Sequence, residues 1–194
     1  MRTDISNCLV HWTRADSLPE AFERLKSIIH QKCLVGGSEL RKGSYTTVCF
    51  TEAPVDQFHR VTSRYSPFGI KLPKKWAFEK GARPAIYQRD SEFADLSEAI
   101  RWRHVRYEPD LPAAIDFSWE REWRIKTEKL SLEGSGFSIL LPDKSWCDAL
   151  FHHHEAREQE RIYADVVAYG DWAGMQNPEP FRYRVEILNA QPAA

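Results

Sequence analysis

Two hydrophobic periods alternate along the chain, and each switch predicts an element. The run Cys8-Leu9-Val10-His11-Trp12 predicts a short opening strand. Behind it Leu18, Phe22, Leu25, Ile28 and Ile29 recur at helical spacing and predict a helix with one buried stripe. Ser17 and Glu20 stand at capping-box spacing at its start, Pro19 sits in its first turn, and Gly36-Gly37 are expected to stop it. Thr46-Thr47-Val48-Cys49-Phe50, Phe68-Gly69-Ile70-Lys71-Leu72 and Pro84-Ala85-Ile86-Tyr87 predict three strands. Phe93, Leu96 and Ile100 predict a second helix from about Ser91 to His104. Strands are expected again at Glu122-Trp123-Arg124-Ile125 and Phe137-Ser138-Ile139-Leu140-Leu141, and a third helix from Ser145 to Arg161. Asp165-Val166-Val167-Ala168-Tyr169 and Arg182 to Leu188 predict the last two strands.

Many short strands with about three helices between them, and no regular β-α alternation, predict an α+β domain. The 194 residues fit one domain spanning 1–194, since domains run to roughly 100–200 residues. No G-x-G-x-x-G or G-x-x-x-x-G-K run occurs, which excludes the Rossmann and P-loop nucleotide sites. No long apolar run occurs, so no spanning helix and no membrane partner are expected. Met1 to Asn7 has no apolar signal core, which predicts a cytoplasmic location.

Charge adds little: 27 Lys and Arg face 28 Asp and Glu, so a global grip on nucleic acid is absent while a local basic groove is not. Cys8, Cys33, Cys49 and Cys147 form no C-x-x-C pair and read as reduced thiols, with no metal site favoured. Aromatics, at 12% with seven Trp, suit both a core and a cleft that stacks flat rings.

Four segments carry polar residues that a plain core would not choose. His11-Trp12-Thr13-Arg14 ends the opening strand, where a His either aims at a ribose hydroxyl or serves the fold. In Val48-Cys49-Phe50-Thr51-Glu52-Ala53-Pro54, Glu52 taken alone is a solvated strand-end charge. Arg64-Tyr65-Ser66-Pro67-Phe68-Gly69-Ile70-Lys71, with Lys74, Lys75 and Trp76, suits either a phosphate-and-ring ligand or a turn leading to an edge strand with snorkelling lysines. Along Asp116 to Ile125, alternation puts Glu120, Glu122 and Arg124 on one face and Arg121, Trp123 and Ile125 on the other. Trp123 and Ile125 are the expected core side, and Glu122 with Arg124 is either a functional carboxylate beside a cation or a rung of a structural ion-pair ladder. His152-His153-His154-Glu155 offers only His154 and Glu158 at i, i+4 and reads as a solvated helix face. Arg101-Trp102-Arg103-His104-Val105-Arg106-Tyr107 interleaves basic and aromatic residues in a way that suits contact with RNA or DNA.

Taken in order, Val48 to Pro54, Tyr65-Ser66-Pro67-Phe68-Gly69-Ile70, Lys75-Trp76, Gly81, Pro84-Ala85-Ile86-Tyr87 and Glu120-Arg121-Glu122-Trp123-Arg124 resemble the bacterial abortive-infection AbiGi-type family over roughly residues 8–126. More distantly the layout is similar to DarT-type ADP-ribosyltransferases, through His11-Trp12-Thr13 before a helix and Glu122-Trp123 on a late strand. That likeness implies an ADP-ribosyltransferase-like mixed or split sheet. It further implies NAD as substrate, held by His11, Thr13, Arg14, Phe50, Arg64, Tyr65 and Phe68, with Glu122 catalytic. DarT-type enzymes carry an Arg after the strand matching Thr46–Phe50; this chain has Glu52-Ala53-Pro54, which leaves Arg60 or Arg64 as the replacement.

The implied activity is transfer of ADP-ribose to nucleic acid, or to protein, in phage defence or a toxin–antitoxin pair. A non-catalytic transferase-like module, acting as antitoxin or sensor beside a partner protein, is the alternative. An RNA-cleaving toxin using His11 and Glu122 as acid and base is a third.

Overall fold

Strand alternation builds one central sheet with apolar residues on both faces. The structure, a computed structural model, describes residues 6–38, 42–52, 55, 65–134, 136–169 and 177–188. β1 (Cys8–Trp12) lies in the middle, antiparallel to β4 (Gly69–Pro73) on one side and to β3 (Thr47–Thr51) on the other. β8 (Glu122–Lys126) pairs β3, and the short β5 (Arg83–Pro84) closes that edge. On the far side β10 (Ser138–Leu141) pairs β4 and carries β11 (Arg184–Ile187), the one parallel neighbour in the sheet. The order is β11-β10-β4-β1-β3-β8-β5. Two ribbons stand apart: β2 (Cys33–Val35) with β9 (Lys129–Ser131), and β6 (Ile86–Gln88) with β7 (His104–Arg106).

Leu9, Val48, Phe50, Ile70, Leu72, Ile125, Ile139 and Leu141 share one face, by the two-residue alternation. Against it pack Ala21, Phe22 and Leu25 of α1 (Leu18–Gln31) and Leu150 of α4 (Lys144–Tyr169). The other face carries a smaller cluster of Val10, Trp12, Leu140 and Leu188, with Val55 and Tyr65 against it. Gly69 is needed there: a Cβ would stand 2.8 Å from the Trp12 ring and 3.0 Å from the His11 carbonyl oxygen. α2 (Lys74–Glu79) and α3 (Glu98–Arg101) are short.

The α+β reading holds, with four α-helices and two 3-10 turns among the described residues in place of three helices. Several boundaries move for physical reasons. Ser17 Oγ accepts from Glu20 N at 3.3 Å as the capping spacing predicts, although the Glu20 carboxylate turns to Asp16 N. α1 then stops at Gln31, with Lys32 left-handed, before Gly36 and Gly37 are reached. Gly36 instead allows close approach, since a Cβ would sit 2.3 Å from the Thr127 carbonyl oxygen. The strand expected at Pro84–Tyr87 is two, because Ala85 N bonds Glu122 O while Ile86 N bonds Arg103 O, and the partner changes.

The helix expected from Ser91 to His104 breaks at Leu96, whose backbone is extended (ψ 138°). A 3-10 turn (Asp90–Asp95), α3 and β7 divide the segment. Arg101 fills that break by donating to Leu96 O and Ala94 O. The strand expected at Asp165–Tyr169 is the last part of α4, where Arg161 pairs with Glu158 and Asp165 at helical spacing.

Candidate active site at the parting of β1 and β3

Five residues of β1 pair with β4, but among the described residues only one pair, Val10↔Thr51, joins β1 to β3. The two strands part at the Trp12 end, and His11 occupies the parting. Its Nδ1 lies 2.9 Å from the Cys49 carbonyl oxygen and its ring is edge-on to Phe50 at 6.0 Å. A carbonyl only accepts, so Nδ1 carries the proton and Nε2 presents a lone pair. Burial lowers the His11 pKa below the ordinary histidine value, against a smaller upward pull from the Cys49 bond, which favours that neutral tautomer.

Glu122 opens β8 and is held from two sides. Arg124 grips its carboxylate with both arms of the guanidinium, Nε to Oε1 at 2.8 Å and Nη2 to Oε2 at 3.2 Å. The Glu122 N–H donates to the Tyr87 hydroxyl at 2.7 Å. Arg124, itself buried, also donates from Nη1 to the His104 and Trp102 carbonyls, which ties the β6–β7 ribbon to the sheet. Burial is also the main reason the Tyr87 hydroxyl is raised well above its ordinary pKa.

The spacing correctly joins Glu122 and Arg124 on one face, but Glu120 does not belong to the strand. It ends a 3-10 turn (Ser118–Glu120), and Arg121 at φ 47° turns the chain before β8 begins. Buried Glu120 accepts from the Tyr65 hydroxyl at 2.8 Å. Glu52 is not a solvated strand-end charge: one carboxylate oxygen accepts from Trp123 Nε1 at 2.8 Å and the other pairs with Lys74.

Of the other expected NAD ligands, Thr13 is buried and latched: its N–H and hydroxyl both donate to Phe68 O, and its carbonyl accepts from Ser66 N. Arg14 is exposed, and its carbonyl accepts from Arg24. Phe50 and Phe68 are core residues, the latter fully buried between Phe22 (5.7 Å) and Trp146 (5.1 Å), so neither is placed to stack on a ligand. Arg60 and Arg64 lie outside the described residues. The register also separates the key pair. Val10, Thr51 and Glu122 form one row on one face, whereas His11 shares the opposite face with Ile70.

The weaker signals resolve structurally. His152 and Glu155 stand exposed, as a solvated face requires, whereas His154 meets the Glu179 carbonyl and Glu158 accepts from Glu179 N, so one side of this stretch packs against a neighbouring segment. No cluster able to hold a metal occurs among the described residues. The cations of Arg101–Tyr107 largely serve the protein's own acceptors, with Arg103 on Pro84 O and Arg106 on Glu108. The contacts of Tyr87 with Glu122 and of Lys74 with Glu52 had no signal in the sequence, because each joins distant segments. Among the described residues no helix is long and apolar enough to cross a membrane. Comparison with protein families, characterised proteins and solved structures finds no match for this chain.

Proposed function

We propose that the chain is a cytoplasmic NAD-dependent ADP-ribosyltransferase of phage defence, acting on a nucleic-acid acceptor. The observation that carries this reading is the parting of β1 from β3, which leaves His11 in the gap and Glu122 on the next strand but one. Glu122 shares its row with Thr51, and Tyr65 packs on the same face.

Transfer breaks the bond between ribose C1′ and the nicotinamide nitrogen, and the electron pair leaves with neutral nicotinamide. The sugar passes through an oxocarbenium-like state, and a carboxylate beside C1′ stabilises that positive charge. The acceptor's nucleophilic atom then bonds C1′ and gives its proton to Glu122 as general base. Arg124 fixes the carboxylate plane. The reaction uses no metal in this scheme.

Nicotinamide release from NAD, followed with DNA, RNA and protein acceptors, is the direct test. Glu122→Gln is expected to lower turnover by about 10²–10⁴, and His11→Ala to weaken NAD binding. Full turnover in the Glu122→Gln chain overturns the reading.

Two observations favour a second reading, a non-catalytic transferase-like module serving as antitoxin or sensor. The Arg124 guanidinium neutralises Glu122, and the register sets Glu122 and His11 on opposite faces. Under that reading NAD at high concentration raises no unfolding temperature, whereas a bound ligand at about 100 times its Kd adds about 2.7 kcal/mol, and a partner protein co-purifies with the chain.

A further inference from the structure

We propose that the cavity enclosed by α1, α4 and residues 179–183 binds a phosphate-bearing ligand of nucleotide size. It shares none of its lining with His11, Glu122 or their partners, so it stands whether or not the transferase reading does. Its volume is about 340 Å³, within the range of small-molecule sites.

The lining is strongly cationic in a chain whose net charge is −1: Lys26, Lys32, Arg157, Arg161 and Arg182 face only Glu158 and Glu179. Both carboxylates are already engaged. Arg161 holds Glu158 at 2.8 Å, and Arg182 lies 3.6 Å from Glu179. Lys26 pairs with Glu23, outside the cavity, at 2.7 Å. Lys32 and Arg157 are left without an ion pair among the described residues. The polar partner of Arg157 is the His30 imidazole, Nη2 to Nε2 at 3.2 Å, which cannot neutralise it. Burial, and after it Lys26 and Arg157, hold His153 on this wall below the ordinary histidine pKa, as a field seeking an anion would.

Two further features point to phosphate with a flat ring attached. Lys32 caps α1 in the left-handed conformation, φ 52°, and from the end of that helix lines the cavity. A second cavity of about 280 Å³ adjoins at Lys32, Arg182 and Tyr183, so Lys32 and Arg182 lie where two chambers meet. Phe181 and Tyr183, edge-on to each other at 5.9 Å, supply an aromatic wall beside them. Arg157 offers the planar fork that phosphate oxygens accept, and Lys32 offers a point charge.

Calorimetric titration of the full chain with pyrophosphate, ADP and a short oligothymidylate tests the assignment. ADP is expected to bind, and Lys32→Ala and Arg157→Ala each to weaken it about tenfold or more. Lys144→Ala, on α4 outside the cavity, is expected to leave it unchanged. An oligothymidylate that displaces ADP and weakens with the same substitutions assigns the phosphate to a strand backbone. ADP binding that the oligonucleotide does not disturb assigns it to a free nucleotide. Both outcomes carry the proposal. Binding by none of the three at millimolar concentration overturns it. So does undiminished ADP binding in a Lys32→Ala/Arg157→Ala chain whose unfolding midpoint matches wild type.

Discussion

Arg124 does two jobs that pull on different measurements. It neutralises the one carboxylate for which a chemical role is proposed, and it anchors the β6–β7 ribbon through the His104 and Trp102 carbonyls. Truncating it strands Glu122 and those carbonyls in a nearly dry setting, since the Glu122 side chain is only 13% exposed. Arg124→Ala is therefore expected to cost about 3–5 kcal/mol, read from urea unfolding, because breaking one partner of a buried pair leaves a charge uncompensated. A loss within the range of a surface pair, about 1 kcal/mol or less, would show that the pair is solvated. This grip was legible beforehand because two residues apart on a strand share a face. The grips on Glu52 from Trp123 and Lys74 were not, since 71 and 22 residues separate the partners and no local pattern encodes them.

Elements announced themselves where local signals and tertiary packing agreed. β1 and the start of α1 are where the alternation and the Ser17 cap put them. They failed where a local preference met a stronger non-local or helical one. Val166 and Val167 favour a strand, yet they continue α4, whose charged pairs at three and four residues support the helix. The Phe93, Leu96 and Ile100 period looked helical, but Phe93 is used against His104 at 5.2 Å and the backbone opens at Leu96 to reach it.

Ser17→Ala removes the one side-chain acceptor for Glu20 N and is expected to cost about 1 kcal/mol, measured by thermal unfolding. Gly69→Ala tests sheet packing instead. Its new methyl meets Trp12 at 2.8 Å, where an indole has little room to yield, and the overpacking is expected to cost about 1–3 kcal/mol. An unchanged midpoint would mean that the second face of the sheet is loosely packed.

At the scale of the whole molecule, three histidines on different elements share one electrostatic fate. His11 on β1, His104 on β7 and His153 on α4 all have pKa values below the ordinary 6.5, with burial the leading cause in each case. The unfolded chain therefore binds protons at these positions at a pH where the folded chain does not. Their contribution to stability is fully present above the unfolded value of 6.5 and is lost as pH falls through the lowered folded values. Asp90, held by Lys42, and Glu158, held by Arg161, lie below their ordinary 3.8 and 4.5, so their losses come only in stronger acid. The window from about pH 6.5 to about pH 5 thus belongs to the histidines. Unfolding free energy is expected to fall across it, and His11→Gln, which keeps a donor for the Cys49 carbonyl but cannot take up the proton, is expected to flatten the fall. Equal slopes in wild type and His11→Gln would place the His11 ring in solvent and remove it from the parting between β1 and β3, and with it the support that this ring lends to a ribose-binding role.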